Sequence, residues 1–465
     1  MRLAVIGGGP KAAAIAAKVR ALAVAGYQIP ELVIFEPIAP GAAWTGVNGY
    51  TDGIQPLCTL AERDFGFPYD RTTFGDNVAS IMLAEFSWQR FCVAEGINDT
   101  LYANWVVQGR QPPAHSDFAT YIASAIRKSQ VRIRAEQVTN LDYDFNNQKW
   151  IVTSHGGSNQ PPFSDSFDGV VVTGSGGSLP PLLNDPRVCD GYSFWTNLQQ
   201  ILGFLRADPT PSVGIIGSGG VAGAVAHWFV REGIKDIPIT VIGSQATLYI
   251  RVSTPFEDRL FSDDATWSAL APHVRDSFLE RLGRGVVWDY VMRRLGDARN
   301  IRYRSAYVRS LMQVPNPVPG QGFPTILRAE LVDPPAPPGG PLQVPRGYLD
   351  ATVFIDCRGF NAWNFASLLS PDFRPHFDRV NQPSVTANID YSLCVSGHFP
   401  SGLKVSGPFP EGLHVPMLAS VQGPAAPNLM ALGWMSDRIL SRYIKRWQII
   451  AHWIPREMTY TYIYA

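Results

Sequence analysis

Arg2-Leu-Ala-Val-Ile-Gly-Gly-Gly-Pro-Lys-Ala-Ala13 opens the chain. Leu3 to Ile6 is a short apolar run, a glycine cluster follows, and Ala12 to Ala25 is an alanine-rich run that reads as a helix. Strand, glycine turn and helix in that order are the context in which a glycine motif binds a dinucleotide. Gly7 permits the tight turn, Gly9 lets backbone approach a pyrophosphate, and Ala12 takes the small position at which helix packs on strand. Pro10 and Lys11 belong to the same expected site, in a first helical turn whose free N–H groups and partial positive charge favour phosphate. Leu32-Val-Ile-Phe35 reads as the second strand and ends in Glu36, 27 residues after Gly9, a carboxylate suited to a ribose diol.

The pattern then restarts. Ser212-Val-Gly-Ile-Ile216 reads as a strand, Gly217-Ser-Gly-Gly-Val-Ala222 as a glycine turn, Gly223 to Glu232 as a helix and Ile239-Thr-Val-Ile242 as a strand. Gly217, Gly219, Gly220 and Ala222 are the expected cofactor residues of this second turn. Here the second strand runs into Gly243-Ser244 with no carboxylate, and Arg251 lies a few residues on. Loss of the acid and gain of an arginine is the change expected for a ligand with a 2′-phosphate. The first turn therefore fits FAD and the second NADPH, with Arg251 as the expected phosphate partner; a solvated surface arginine is the plainer alternative.

Each turn is followed by an insertion, strand-like segments and a strand ending in a glycine turn. In the first half the strands are Val131–Ala135, Val138–Phe145 and Lys149–Ser154, a polar loop, then Asp168-Gly-Val-Val-Val-Thr-Gly174. In the second they are Ile301–Tyr307, Val308–Val314 and Ile326–Val332, a turn-rich excursion at Pro334–Pro341, then Ala351-Thr-Val-Phe-Ile-Asp-Cys-Arg-Gly359. Helical spacing marks Asn77–Ala94, Asp117–Arg127 and roughly Thr266–Leu295. The expected fold class is α/β: two Rossmann-like dinucleotide-binding domains with inserted antiparallel meanders and a small helical substrate region. The FAD domain is expected to be discontinuous, 1–205 and 345–465 with the helical region at about 70–130, and the NADPH domain to span 206–344.

Composition narrows the classes. A chain of 465 residues with 46% hydrophobic content can build more than one core. Lys+Arg and Asp+Glu both number 39, so the zero net charge argues against a nucleic-acid or anionic-membrane binder. A strand beginning at Leu3 leaves no room for a targeting peptide, and the uncharged stretch Val213–Val230 is better explained as the second glycine turn than as a membrane span. The five cysteines form no Cys-x-x-Cys pair and the eight histidines no metal-ligand spacing, so neither a metal nor a redox dithiol is expected, and a reducing cytoplasm is. His115, His273, His376, His414 and His227 read as structural. Trp434, Trp447, Trp453, Tyr460, Tyr462 and Tyr464 read mostly as packing, with a homo-oligomer contact open.

Finer motifs bring a resemblance. The opening turn, Val170-Val-Val-Thr-Gly-Ser-Gly-Gly-Ser-Leu-Pro180 and the second turn together resemble class B flavoprotein monooxygenases. Trp44 with Ile54-Gln55 resembles the Trp-His…Met-Gln loop of the N-hydroxylating branch, the ornithine and lysine N-monooxygenases. Gly109-Arg-Gln-Pro-Pro-Ala-His-Ser-Asp-Phe-Ala-Thr-Tyr121 is similar to its Pro-x-Arg-x-Glu-Phe-x-x-Tyr segment. Ser253-Thr-Pro-Phe-Glu-Asp-Arg-Leu-Phe261 is similar to its Asp-Ser-Pro-Phe-Val-Asn-Glu-Ile-Phe, and Gly433-Trp-Met-Ser-Asp-Arg-Ile-Leu-Ser441 to its Gly-Leu-Ser-Asp-x-Leu-Leu-Ser. The order holds along nearly the whole chain.

The resemblance implies that NADPH reduces FAD, that reduced flavin and O2 give a flavin hydroperoxide, and that a neutral amine attacks its distal oxygen to become a hydroxylamine. It implies Gln55 as a hydrogen-bond partner of the flavin edge, Trp44, Ser436 and Asp437 beside the cofactor, and Asp258 as a catalytic or substrate-binding carboxylate. For Asp437 a plain helix N-cap is the alternative. Arg63 and Trp434 join Asp258 as expected substrate contacts, although Arg63 and Asp258, like Glu62 and Glu257, also suit an ordinary surface charge. Two departures bear on substrate. The lysine expected after the flavin-side glutamine has no counterpart in Pro56-Leu-Cys-Thr-Leu-Ala-Glu-Arg63, and the family's asparagine is Asp258. Both weaken recognition of an α-carboxylate, which points away from free ornithine or lysine. Three rivals stay open: a flavin oxygenase acting on sulfur or carbon, a dithiol reductase, and a nucleotide-binding sensor without turnover. The first expects Phe-x-Gly-x-x-x-His where the chain has Cys189-Asp-Gly-Tyr-Ser-Phe-Trp195, and the second needs the missing Cys-x-x-Cys.

Overall fold

A computed structural model describes residues 1–95, 101–157, 161–174, 176–251, 254–284, 287–317, 322–334, 344–400 and 405–444. Ser175, Ser253, most of the Pro334–Pro341 excursion and the C-terminal Trp and Tyr residues beyond 444 lie outside them.

Strands β1 (Arg2–Ile6), β2 (Glu31–Phe35), β3 (Arg132–Arg134), β7 (Gly169–Val172) and β16 (Leu413–His414) form one sheet, ordered β16-β7-β1-β2-β3. Every neighbouring pair in it is parallel. A parallel sheet covered on both faces needs apolar strands throughout, and Leu3, Ala4, Val5, Val33, Ile34, Val170 and Val171 are all buried. Helix Pro10–Val24 crosses from β1 to β2 with twelve buried positions, six of them alanine at 12–14, 16, 17 and 21, so it lies close to the sheet. The second sheet repeats the plan: β8 (Val188–Asp190), β9 (Val213–Ile216), β10 (Ile239–Gly243), β11 (Ile301–Ser305) and β15 (Val353–Asp356), ordered β11-β10-β9-β15-β8 and all parallel. Its crossover is helix Gly220–Arg231. Since β8 and β15 are members, this unit extends to either side of the expected 206–344 segment.

Each unit carries a three-stranded antiparallel meander, with one correction made twice. The first is β4 (Gln137–Asp144), β5 (Lys149–His155) and β6 (Phe163–Phe167); the second is β12 (Tyr307–Pro315), β13 (Thr325–Val332) and β14 (Pro345–Ala351). The segments read as the first meander strands, near 131–135 and 301–307, instead supply the parallel edge strands β3 and β11. The third meander strands are polar segments that carried no strand pattern.

The helical region is Asp76–Phe86, Trp88–Ala94, Leu101–Val107 and His115–Ser129. The run expected as one helix from Asn77 breaks at Ser87, whose hydroxyl accepts from Arg90 N–H at 3.1 Å and caps the second helix. In the second unit the expected helical stretch resolves into Asp264–Ala269, Pro272–Arg284 and Asp289–Gly296, preceded by Pro255–Ser262. Phe261 packs into the core of the first unit, with Phe278 and Leu282 against it, so these helices bridge the two units. The chain crosses between sheets twice, near 177–179 and 359–361, and the crossings pair: Ser178 bridges Phe360, and Asn361 N–H donates to Gly177 at 2.9 Å.

Candidate functional site

Both glycine turns are built by the same two backbone hydrogen bonds. Gly7, at φ +97°, donates to Phe35 carbonyl at 2.9 Å, and Thr173 N–H at the end of β7 donates to Ile6 at 3.2 Å. Gly217, at φ +122°, donates to Ile242 at 2.7 Å, and Cys357 N–H at the end of β15 donates to Ile216 at 2.7 Å. A Cβ on Gly7 would lie 2.8 Å from Thr173 Oγ1, and one on Gly217 would lie 2.4 Å from the Cys357 carbonyl oxygen. These positions demand glycine for both conformation and space. Gly9 and Gly219 are the N-caps of the two crossover helices, each in extended conformation with no capping side chain, so the first N–H groups stay available to a ligand. An added Cβ on Gly9 meets nothing within 4 Å, leaving open space over the helix end. Pro10 starts that helix, and Ala12 and Ala222 are fully buried against their strands.

The turns differ in the acid. Glu36 folds over the first one: its Oε2 accepts from Gly8 N–H at 2.8 Å and its Oε1 from Ile38 N–H at 3.1 Å. At the equivalent place in the second unit stands Gly243, where a Cβ would strike Ser218. A cavity of about 480 Å³ opens over the second turn, lined among others by Gly217, Gly219, Gly220, Ser244, Tyr307 and Arg358. Arg251 is not in that lining. Its N–H donates to Val287 at 2.7 Å, its guanidinium lies 5.8 Å from the Phe261 ring, and burial lowers its pKa, with Arg63, Glu257 and Arg281 as its charged neighbours. After β10 the chain turns toward the first unit and takes Arg251 to the seam between units, so the structure does not bring it to the second turn as expected.

The loop after Glu36 is held by backbone. Gly41 N–H donates to Gly8 at 3.0 Å, and Gly46 and Gly53 approach so closely that a Cβ on either would overlap the other's strand of the loop. Trp44 stands edge-on to His115 at 4.7 Å and to Phe118 at 5.9 Å. His115 pins the far side, its N–H donating to Gln55 carbonyl at 2.9 Å and its Nδ1 2.9 Å from Thr51 Oγ1. Burial lowers its pKa to about 4, so the ring is neutral.

Gln55 is buried, and its amide faces the second unit. Its Oε1 is 3.0 Å from His227 Nδ1 and its Nε2 donates to Ala224 carbonyl at 3.3 Å. His227, read as helix packing, is thus a partner of the glutamine from across the seam; nothing in the sequence pairs two positions so far apart. Arg63 is buried and pairs at 2.5 Å with Asp258, which lies in the first turn of helix Pro255–Ser262. Two of the three expected substrate contacts therefore meet each other.

Three expected residues are placed differently. Ser436 is buried within helix Leu432–Ser441, its hydroxyl donating to Gly433 at 2.9 Å. Asp437 is mid-helix, not an N-cap: it pairs with Lys18 of the first crossover helix and accepts from Thr72 Oγ1 and Thr73 N–H, both at 2.7 Å. Its carboxylate holds helix on helix, facing protein partners. Trp434 is buried, its indole N–H donating to Asp264 at 2.7 Å under the Arg438 guanidinium. Lys18 had no functional signal: an alanine-rich helix gives no hint that one of its lysines points inward.

The chain is 32% identical over 452 residues to the L-lysine N6-monooxygenase MbtG of Mycobacterium sp. strain MCS, covering 94% of each chain. The chain belongs to the N-hydroxylating flavoprotein monooxygenases. A second relative, L-lysine N6-monooxygenase MbtG of Mycobacterium tuberculosis, is 29% identical over 455 residues, again covering 94% of each. Among solved structures, the lysine monooxygenase NbtG of Nocardia farcinica superposes with a TM-score of 0.73 at 28% identity, covering 94% of the enzyme and 99% of that chain. The ornithine N-hydroxylase KtzI of Kutzneria sp. 744 shares the fold, with a TM-score of 0.66 at 14% identity. No protein-family model matches the chain.

The enzyme is thus an FAD- and NADPH-dependent N-hydroxylating monooxygenase of α/β architecture. Among the described residues no helix is long and apolar enough to cross a membrane, and no group of three or more His, Cys, Asp or Glu is placed to hold a metal ion.

Proposed function

We propose that the enzyme hydroxylates the terminal primary amine of a lysine-length substrate, with little recognition of the α-carboxylate. One observation carries the substrate reading: Arg63, the cation nearest in sequence to Gln55, is buried and already paired with Asp258 at 2.5 Å. A carboxylate competing for that guanidinium has to displace a geometrically good ion pair. Amine length is read from the relatives, which are named lysine N6-monooxygenases along 94% of the chain.

FAD is assigned to the first glycine turn with Gly7, Gly9, Pro10, Lys11, Ala12 and Glu36, and NADPH to the second with Gly217, Gly219, Gly220 and Ala222. The open space at Gly9 and the cavity at Gly217 support that assignment. Bound FAD, reduced by NADPH, supplies with O2 an electrophilic oxygen. The chain's own task is to hold the amine neutral, since a free alkylamine has a pKa near 10.4, and to exclude water. A desolvated amine site beside Gln55 and Trp44 would favour the neutral amine. Gln55 is the proposed polar contact at the flavin edge.

The test is a panel of L-lysine, L-lysine amide, cadaverine and L-ornithine, with NADPH consumption and hydroxylamine measured together. Lysine amide within about tenfold of lysine, and ornithine below both, is the expected order. Strict dependence on the free carboxylate would sink the substrate reading. NADPH oxidation coupled to a sulfide or ketone, with no amine hydroxylated, would sink the N-hydroxylation of this panel.

A further inference from the structure

Helix Pro10–Val24 buries two lysines, Lys11 and Lys18, seven residues and about two turns apart, hence on one face. They are treated unequally. Lys18 pairs with the Asp437 carboxylate. Lys11 is 4% exposed, and among the described residues no carboxylate pairs with it. Its Nζ reaches two carbonyl oxygens, Pro427 at 3.4 Å and Asn428 at 3.3 Å, both at the weak end of the hydrogen-bond range. Helix Pro10–Val24 also has no acidic residue in its first turn. Burial lowers the Lys11 pKa to about 8, which leaves the group mostly charged at neutral pH. A buried ammonium without an anion is costly, and an apolar side chain of similar length would be cheaper here.

What the apolar side chain would lose is visible at the same helix end. Lys11 is the second helical residue after Gly9, beside the uncapped N–H groups and the open space where a Cβ at Gly9 meets nothing. That end already favours an anion. The carbonyls that Lys11 touches belong to the segment leading to Met430, whose sulfur accepts from Thr59 in the loop beyond Gln55. The ammonium is therefore held, in the first turn of the helix that follows the glycine turn, against the segment that leads to Met430 and the loop beyond Gln55.

We propose that Lys11 is the built-in counter-charge for the diphosphate of FAD: its charge is kept buried without a protein anion because the cofactor brings one. The inference rests on the assignment of FAD to the first turn. Lys11→Met keeps the length and removes the charge. In the flavin-free protein this variant should melt higher than wild type, since it removes an unpaired buried charge. Its affinity for FAD, from quenching of flavin fluorescence, should fall at least thirtyfold, and ADP should weaken as a competitor by a similar factor, because ADP carries the diphosphate without the ring. Oxidised and reduced FAD should lose affinity alike, leaving the midpoint potential of the bound flavin in place. Unchanged FAD affinity in Lys11→Met, with wild type binding FAD normally, would overturn the role of Lys11 and leave the FAD assignment standing. A lower melting temperature of the flavin-free variant would make Lys11 a structural residue. A midpoint shift beyond 30 mV, a tenfold difference between oxidation states, would put the ammonium at the ring and overturn the diphosphate role. Failure of the wild-type protein to bind FAD would overturn both.

Discussion

Single glycines separate what the fold needs from what the cofactor needs. Gly9 has φ −86°, an ordinary value, and its Cβ direction is empty. Gly9→Val should therefore leave the flavin-free protein folded, with a melting temperature close to wild type, and cut FAD affinity more than a hundredfold by filling the approach to the helix end. A strongly destabilised Gly9→Val would show that protein occupies that space. Gly7→Ala should do the reverse, losing about 1–3 kcal/mol of stability without any cofactor, because it combines φ +97° with a 2.8 Å approach to Thr173. Histidines give the residue scale its pH dependence. Burial holds His115, His227, His376 and His414 near pKa 4, against 6.5 when unfolded. Each unfolded ring binds a proton that the folded ring refuses, so their contribution is complete above about pH 6.5 and is lost as pH falls toward 4. His376 is the cleanest case: both ring nitrogens are buried without a partner and the ring stacks on Phe409 at 4.7 Å. His376→Phe should flatten the fall of melting temperature between pH 6.5 and 4 by about one proton's worth and raise stability at pH 7 by about 1 kcal/mol. An unaltered pH slope would show that His376 does not titrate in this window.

At the scale of elements, legibility followed the range of the contacts. The crossover units β1–helix–β2 and β9–helix–β10 were readable because their signals lie within about thirty residues. The edge strand β3 reads as a meander strand because its partner β2 is far away in sequence: Val33 pairs with Arg132, and Arg-Ile-Arg has little apolar pattern. The strands β6 and β14 were invisible for a different reason. Phe-Ser-Asp-Ser-Phe and Pro-Arg-Gly-Tyr-Leu-Asp-Ala are largely exposed meander edges, held by ladder bonds to one neighbour and not by a buried face. The site divides likewise. Glycines and Glu36 could be placed from spacing, whereas the contacts of Gln55, Asp437 and Trp434 depend on which distant helix arrives. Asp437 joins its helix to the first crossover helix through Lys18, and also holds Thr72 and Thr73. Asp437→Asn should leave Lys18 buried and unpaired and cost about 3–5 kcal/mol, while Lys18→Met with Asp437→Leu should recover most of that. A double variant no better than the single in denaturant titration would make the threonine contacts, and not the ion pair, the main link.

The whole molecule turns on the seam between the two units. Acids of the second unit's helices face arginines of the first: Asp258 on Arg63 at 2.5 Å, Asp263 on Arg71 at 2.8 Å, and Asp264 on Arg438. On the other side, Arg231 reaches Asp52 at 2.5 Å and Tyr192 donates to Asn48 at 2.8 Å, flanking the Gln55–His227 contact. In this arrangement both functions of the Gln55 amide are used by helix Gly220–Arg231. Nε2 keeps a second N–H, but these two contacts fix the direction of the amide, so the seam and a flavin edge compete for the orientation of one side chain. Arg231 offers a way to bias the competition without touching Gln55, because its partly exposed pair with Asp52 holds the seam from outside. Such a pair is worth up to about 1 kcal/mol, which as a population shift is about fivefold. Arg231→Ala should therefore raise the rate of flavin reduction by NADPH up to about fivefold in stopped-flow measurements, and raise FAD affinity by no more than the same factor. High salt should mimic the variant in wild type and have less effect on the variant itself. A reduction rate that stays constant or drops in Arg231→Ala would mean that NADPH does not work against this seam, and that Gln55 serves the joint between units and not the flavin.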